Sequence, residues 1–262
     1  MSLLSPGDPP PVTVQEYPGR APVVVLCDHA GRAVPQALGM LGVEAAAFDR
    51  HIAYDIGALS TARHLSRALG ATLVASGYSR LVIDCNRCPA EASAMPVVSD
   101  GTPVPGNVGL EPEERAARIE GLFRPYHTAI ARVLDGFFAR GIRPAILSMH
   151  SCTPVMDGFQ RPWHIGILWG EDGRIAEPLL TALEAEGDLV VGDNLPYSGR
   201  HPAGFTVPTH AVAAKLPHVT FEIRQDLISD EAGCEAWADR LARLLPPILA
   251  SLELGAPDAM IE

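Results

Sequence analysis

The sequence predicts one α/β domain, a three-layer α/β/α arrangement around a central mixed, mainly parallel sheet, and three observations lead there. Short apolar runs such as Val23-Val24-Val25-Leu26-Cys27 and Ala145-Ile146-Leu147 have the composition of strands covered on both faces. The stretches between such runs repeat apolar residues at helical spacing, and strands alternating with helices build parallel sheets. With 262 residues, 47% of them hydrophobic, the chain is long enough to bury one substantial core.

Residues 1–20 carry proline and glycine without periodicity and read as a loose N-terminal arm, followed by one domain over 21–262. A first strand is expected at 22–27. Ile56, Leu59, Leu65 and Leu69 fit one face of a helix, after which 71–75 and 80–84 read as consecutive strands. The proline- and glycine-rich segment 89–112 is expected to be an ordered loop or lid bordering a site. Pro112-Glu113-Glu114 has proline and acids where a helix begins, and Leu122, Tyr126, Ile130, Val133, Leu134 and Phe137 continue its inner face to Gly141. A strand ending at His150 follows. Beyond it come an apolar segment at 164–169, a helix near 174–186, short strands at 189–192 and 218–224, and a terminal helix over about 230–252.

The formal net charge of −11 argues against a broad basic field for nucleic acid. The start of the chain lacks the basic and apolar regions of a secretion signal, and no run approaches the ~20 apolar residues of a membrane helix. A cytoplasmic protein acting on a small molecule is expected, with no nucleic-acid or membrane partner. Only Lys215 among the 20 basic residues is lysine, a bias that genomic base composition explains, with a demand for planar anion-binding forks as the competing reading. The five cysteines are expected to be reduced. Cys85-Asn-Arg-Cys88 matches a redox CxxC, and a thiol role through Cys85 and Cys88 is a minor alternative.

His29 and His150 each stand where an apolar run stops. α/β sheets place chemistry at the carboxyl ends of their strands, so two imidazoles there suggest one metal site. Zinc sites in hydrolases take three protein ligands from His, Asp and Glu and keep one position open. Asp49-Arg-His51-Ile-Ala-Tyr-Asp55 reads as a helix entry with His51 and Asp55 on one face. Asp55 is taken as the third ligand, with His51 as the alternative. No HExxH occurs, so such a site must be assembled from distant segments. Glu222, between Phe221 and Ile223 on a strand, faces away from both, as a general base beside metal-activated water would. The competing reading is an ion pair with Arg224. Arg80, Asn86 and Arg87 bracket a run; one guanidinium there can stabilise charge on a scissile carbonyl oxygen, and another can hold a carboxylate. Arg161 and Arg224 are further candidates for substrate binding.

Nine stretches, in order, resemble the N-formylglutamate amidohydrolase family, in its shorter bacterial branch. They are Cys-Asp-His-Ala at 27–30, His-Ile-Ala-Tyr-Asp-Ile-Gly-Ala at 51–58, Ser-Arg-Leu-Val-Ile-Asp-Cys-Asn-Arg at 79–87 and Ser-Asp-Gly-Thr-Pro-Val-Pro-Gly-Asn at 99–107. Pro-Tyr-His at 125–127, Met-His-Ser at 149–151, Arg-Pro-Trp-His-Ile-Gly at 161–166, Asp-Asn-Leu-Pro-Tyr-Ser-Gly at 193–199 and Phe-Glu-Ile-Arg-Gln-Asp-Leu-Ile at 221–228 complete the set. The resemblance implies a fold like the zinc carboxypeptidases and aspartoacylases, and a zinc-dependent hydrolase of N-formyl or N-acyl amino acids with N-formyl-L-glutamate leading. It implies one zinc per chain, Arg80 for the oxyanion, Asn86 and Arg87 for the substrate carboxylate, and Glu222 as base. The wider group draws two ligands from His-x-x-Glu, whereas Arg32 stands three residues after His29. That departure supports the alternative of a non-catalytic anion-binding or sensor protein without a working metal centre.

Overall fold

The computed structural model describes residues 3–19, 21–200 and 204–255. A seven-stranded sheet is built from β1 (Val12–Gln15), β2 (Val23–Cys27), β3 (Thr72–Ser76), β6 (Ala145–Cys152), β9 (Ile165–Leu168), β10 (Val191–Asp193) and β11 (His218–Arg224). Two small hairpins stand apart from it, β4 (Val98–Ser99) with β5 (Thr102–Pro103) and β7 (Val155–Met156) with β8 (Phe159–Gln160). The order across the large sheet is β1-β3-β2-β6-β11-β9-β10. The four strands β3, β2, β6 and β11 run parallel, β9 and β10 run against them, and β1 closes the far edge antiparallel to β3.

The central strands form where they do because both of their faces are covered. Every residue of β2 and of the eight-residue β6 is buried, which is what a fully apolar run achieves in the middle of a parallel sheet. One face, through Val25, Leu147, Met149, Phe221 and Ile223, packs on α1 (Ala58–Leu69), α4 (Ala176–Ala185) and α5 (Glu231–Ala250). The other, through Val24, Leu26, Val74 and Ile146, packs on Tyr126, Ile130, Leu134 and Phe137 of α3 (Arg124–Phe138). α2 (Pro112–Arg118) runs into α3 through a π turn at Ile119–Phe123. A further cluster of buried residues, among them Phe48, Leu81, Ile83 and Phe123, lies under the loops at the carboxyl ends of the strands.

From β2 the chain passes by α1 to β3 on one side, and returns by α3 to β6 on the other. The sheet order reverses between β2 and β6, the topological switch point at which open α/β sheets bind ligands. Both histidines singled out in the sequence stand there. Gly57, at φ 77°, makes the left-handed turn between Asp55 and α1 that an L side chain adopts only under strain.

The sheet is mixed and mainly parallel, as the sequence predicts. Three local expectations are corrected. The loose arm contains β1, an edge strand hydrogen-bonded to β3, because an alternating Val-Thr-Val can pair even beside prolines. The run at 80–84 is a series of turns: Leu81, Val82 and Ile83 are all buried, and the backbone bonds to Ala53, Ser79 and Ala94 rather than to a strand. The segment 49–55 is likewise not an α-helix: Asp49 ends a 3-10 turn over Ala45–Asp49, residues 50–54 are turns and bends, and α1 begins at Ala58. Residues 1–2, 20 and 256–262 of the expected arm and domain lie outside the described residues. Among the described residues no helix is long and apolar enough to cross a membrane.

α5 starts where Asp230 accepts a hydrogen bond from the Gly233 N–H at 2.8 Å. Asp230→Ala is expected to cost about 1 kcal/mol of stability, and Asp230→Asn very little. A urea midpoint that falls in the alanine variant at unchanged slope is the outcome that bears this out.

Candidate metal centre and substrate cavity

At the carboxyl ends of β2, β6 and β11 lies a cavity of about 550 Å³. β6 and β11 are in parallel register with His150 opposite Glu222, so their side chains share one face, while Phe221 and Ile223 turn into the core beneath. β2 runs beside β6 with Leu26 opposite Ser148, which carries the chain to Asp28 and His29 at the level of His150. Asp55 arrives from the loop before α1, tied down by its own N–H donating to the His29 carbonyl at 2.9 Å.

These residues converge. His29, Asp55 and His150 are buried, and one ligand atom from each lies within 4.8 Å of the others. Asp55 Oδ2 sits 3.3 Å from His29 Nδ1 and 2.8 Å from His150 Nδ1, with the two rings edge to face at 5.1 Å. The opposite nitrogens are held from behind: His29 Nε2–H donates to Asp84 Oδ1 at 2.7 Å, and His150 Nε2 lies 3.1 Å from Asp28 Oδ2. Carboxylates behind both imidazoles fix the rings with Nδ1 forward, the outer arrangement that metal-binding histidines characteristically have. Tetrahedral ligands at zinc distances stand about 3.3 Å apart, close to the two separations from Asp55. His29, Asp55 and His150 therefore fit a divalent cation.

The charges point the same way. Asp28, Asp55 and Asp84 are all buried around a single guanidinium, Arg80, which pairs with Asp55 Oδ1. Buried carboxylates in excess of their cations are costly unless a further positive charge neutralises them. Burial pushes Asp28 upward, but hydrogen bonding and charge from His150 outweigh it and hold the acid at about 2. Asp84 is likewise held far below the ordinary carboxylate range, burial being outweighed by the charge and hydrogen bond of His29. Burial, together with Arg80, lowers His29, favouring the unprotonated form that ligates metal. For His150 burial is outweighed by Asp28, and the ring is raised. Glu222 is raised by burial against the pull of His150 and Arg80, and its Oε2 has no hydrogen-bond partner among the described residues. A carboxyl shifted toward neutrality in a cavity is a fitting proton carrier.

The other expected site residues divide. His51, Arg80, Asn86 and Arg87 line the cavity with the metal residues and Glu222. His51 lies outside the three-residue group, its Nε2 3.5 Å from Asp100 on the β4–β5 hairpin, so the 89–112 segment meets the site through that contact. The carbonyl end of Asn86 accepts the Phe205 and Thr206 N–H groups at 2.8 and 3.0 Å. Arg87 is exposed at the mouth. Arg161 stands behind the wall; it donates to the Tyr197 hydroxyl at 3.0 Å and stacks on that ring. Arg224 does not line the cavity. It is held by Asp226 at 2.8 and 3.1 Å, a carboxylate two residues away that the reading of Arg224 as a substrate ligand overlooked. Arg32 pairs with exposed Asp49, and the carboxylate that stands beside both imidazoles is Asp55. All five cysteines are free.

Asp28, Asp84 and Tyr197 were missed as site residues by sequence reasoning. The two aspartates stand within stretches already singled out, one beside His29 and one beside Cys85, but only the folded arrangement shows them behind the imidazoles. Tyr197 comes from a loop with no periodic signal.

Comparisons with known proteins bear on the chain as a whole. The family model described as N-formylglutamate amidohydrolase matches residues 21–229. An N-formylglutamate deformylase of Pseudomonas putida is 29% identical over 258 residues, covering 90% of this chain and 92% of its own. The crystal structure of a gene product from Agrobacterium tumefaciens superposes with a TM-score of 0.91 at 37% identity, covering 96% of this chain and 99% of that one. An N-formylglutamate amidohydrolase structure from Ralstonia eutropha has the same fold, with a TM-score of 0.66 at 21% identity and coverage of 94% and 99%.

Asp55→Asn is expected to weaken zinc binding by about 100-fold or more, and His51→Ala to leave it unchanged. Competition against a chelating dye measures both; the reverse pattern would make His51 the third ligand.

Proposed function

This chain belongs to the N-formylglutamate amidohydrolase family, and from that premise we propose that it hydrolyses N-formyl-L-glutamate to formate and glutamate with one zinc ion per chain. The observation that carries the reading is the convergence of His29, Asp55, His150 and Glu222 on one cavity floor beside Arg80, Asn86 and Arg87. A site of that composition serves amide hydrolysis better than anion binding, which would need no buried carboxylate facing the cavity.

Zinc held by His29, Asp55 and His150 would supply Lewis-acid polarisation of the formyl carbonyl and lower the pKa of water beside it. Glu222 takes the proton from the attacking water and delivers it to the amide nitrogen as the C–N bond breaks. Arg80, fixed against Asp55, donates to the carbonyl oxygen as negative charge gathers there. The Asn86 NH2 and the Arg87 guanidinium receive the substrate carboxylate in charge-assisted hydrogen bonds. Tyr197, whose oxygen accepts from Arg161, directs its own O–H into the cavity toward the polar end of the substrate. The specificity for glutamate rests on how these donors space two carboxylates, since a site built to pair a charged group rejects analogues that leave its donors unpaired.

Glu222→Gln is expected to keep the zinc content of the wild type while kcat falls by about 10²–10⁴, read as formate release. Arg87→Ala is expected to raise KM by about 10–100-fold with a smaller change in kcat. Zinc-loaded protein that releases formate from no N-formyl amino acid, while binding glutamate, would overturn the hydrolase reading.

A further inference from the structure

Thr206 has no exposed surface, although it belongs to a segment whose neighbours Gly204, Val207 and Pro208 line the cavity. Its hydroxyl donates to Asp28 Oδ1 at 2.8 Å, the atom that also accepts from the Tyr126 hydroxyl at 2.7 Å. With Oδ1 held by two donors, Oδ2 is left facing His150 Nε2. The backbone N–H of Thr206, meanwhile, donates to Asn86 Oδ1. Gly204 lets this segment close on Asn86, since a Cβ there would collide with the carboxamide. The far end of the segment is pinned by His210, whose Nε2–H donates to His127 Nδ1 at 2.9 Å, the other nitrogen of His127 donating to the Cys85 carbonyl.

Asn86 is wired to the other histidine as well. Its N–H donates at 2.8 Å to Asp84 Oδ1, the same atom that holds His29 Nε2. The residue assigned to the substrate carboxylate thus touches one orienting carboxylate through its backbone, and reaches the other through Thr206.

We infer that Thr206 is a positioning residue for the metal centre: its hydroxyl fixes Asp28 behind His150, sets how tightly the chain holds its cation, and joins that grip to the segment seated on Asn86. The inference rests on the metal-dependent reading above. Removing the hydroxyl leaves Asp28 Oδ1 with one donor, freeing the carboxylate to tilt and the His150 ring to lose its forward-facing Nδ1. Outer partners of metal-binding histidines change affinity in this way. A role confined to filling space predicts otherwise, because valine has the shape of threonine.

The test is zinc affinity of the purified full chain, measured with zinc chloride against a chelating dye, for wild type, Thr206→Val, Thr206→Ser and Tyr126→Phe. Thr206→Val is expected to bind zinc about tenfold more weakly, Thr206→Ser to bind near the wild-type level, and Tyr126→Phe to weaken binding in the same direction. Melting of the metal-free proteins reports folding separately, and Tyr126→Phe carries the test if the valine variant does not fold. Zinc binding by Thr206→Val as tight as wild type, or by Thr206→Ser as weak as Thr206→Val, overturns the inference while leaving the hydrolase reading intact. A wild type that takes up no zinc sinks the metal-dependent reading itself.

Discussion

Everything in the site hangs on one buried oxygen, Asp55 Oδ2, placed between the Nδ1 atoms of two histidines that come from different strands. A carboxylate withdrawn from water must be compensated. Arg80 answers its other oxygen, while this one faces two imidazole Nδ1 atoms, an arrangement of acceptors that a cation between them would complete. The imidazoles are in turn backed by Asp84 and Asp28, each accepting further hydrogen bonds from backbone or hydroxyl groups. The result is a buried polar network with more carboxylates than cations. Such networks are stable when every member is satisfied and a positive charge completes the set. A divalent ion would do so without enlarging any side chain.

The sheet makes this network possible by bringing distant residues to one level. Parallel pairing of β6 with β11 sets His150 beside Glu222, and the reversal of strand order beside β2 opens the space above them. The helices contribute differently on the two faces. α1 and α5 seal the core behind the strands, whereas α3 presents Tyr126 to Asp28 and His127 to the Cys85 carbonyl. A rigid scaffold of this kind keeps the reacting groups preorganised, which is where most of the catalytic advantage of such sites originates.

Much of this could be read in the amino-acid order. A short apolar run has the composition of a strand covered on both sides, so Val23–Cys27 and the run into His150 announce themselves and lead directly to their histidines. Glu222 follows from alternation, because Phe221 and Ile223 must point into the core. The run at 81–83 was misread for a related reason: apolarity reports burial, and burial is also reached by turns whose backbone finds partners elsewhere. Arg224 shows the limit of charge counting, since its partner Asp226 is supplied by a local turn. Asp28 and Asp84 were invisible as orienting carboxylates because their role depends on tertiary placement, Asp28 at the end of β2 beside β6 and Asp84 in buried turns that approach His29. Asp55, put ahead of His51 on the sequence, is the one that lies beside both imidazoles, carried there by a loop before α1 that has no helical period to betray its path.

The central claim is that a single divalent ion is gripped by His29 and His150 through their Nδ1 atoms with Asp55 between them. Anomalous diffraction above and below the zinc edge, from crystals of zinc-loaded protein, tests it most directly. The account predicts one strong peak bonded to both Nδ1 atoms and to the Asp55 carboxylate, with Asp28 and Asp84 still behind the rings. A peak bonded to Nε2 of either histidine, or zinc seated elsewhere while this cluster keeps its own hydrogen bonds, would contradict it.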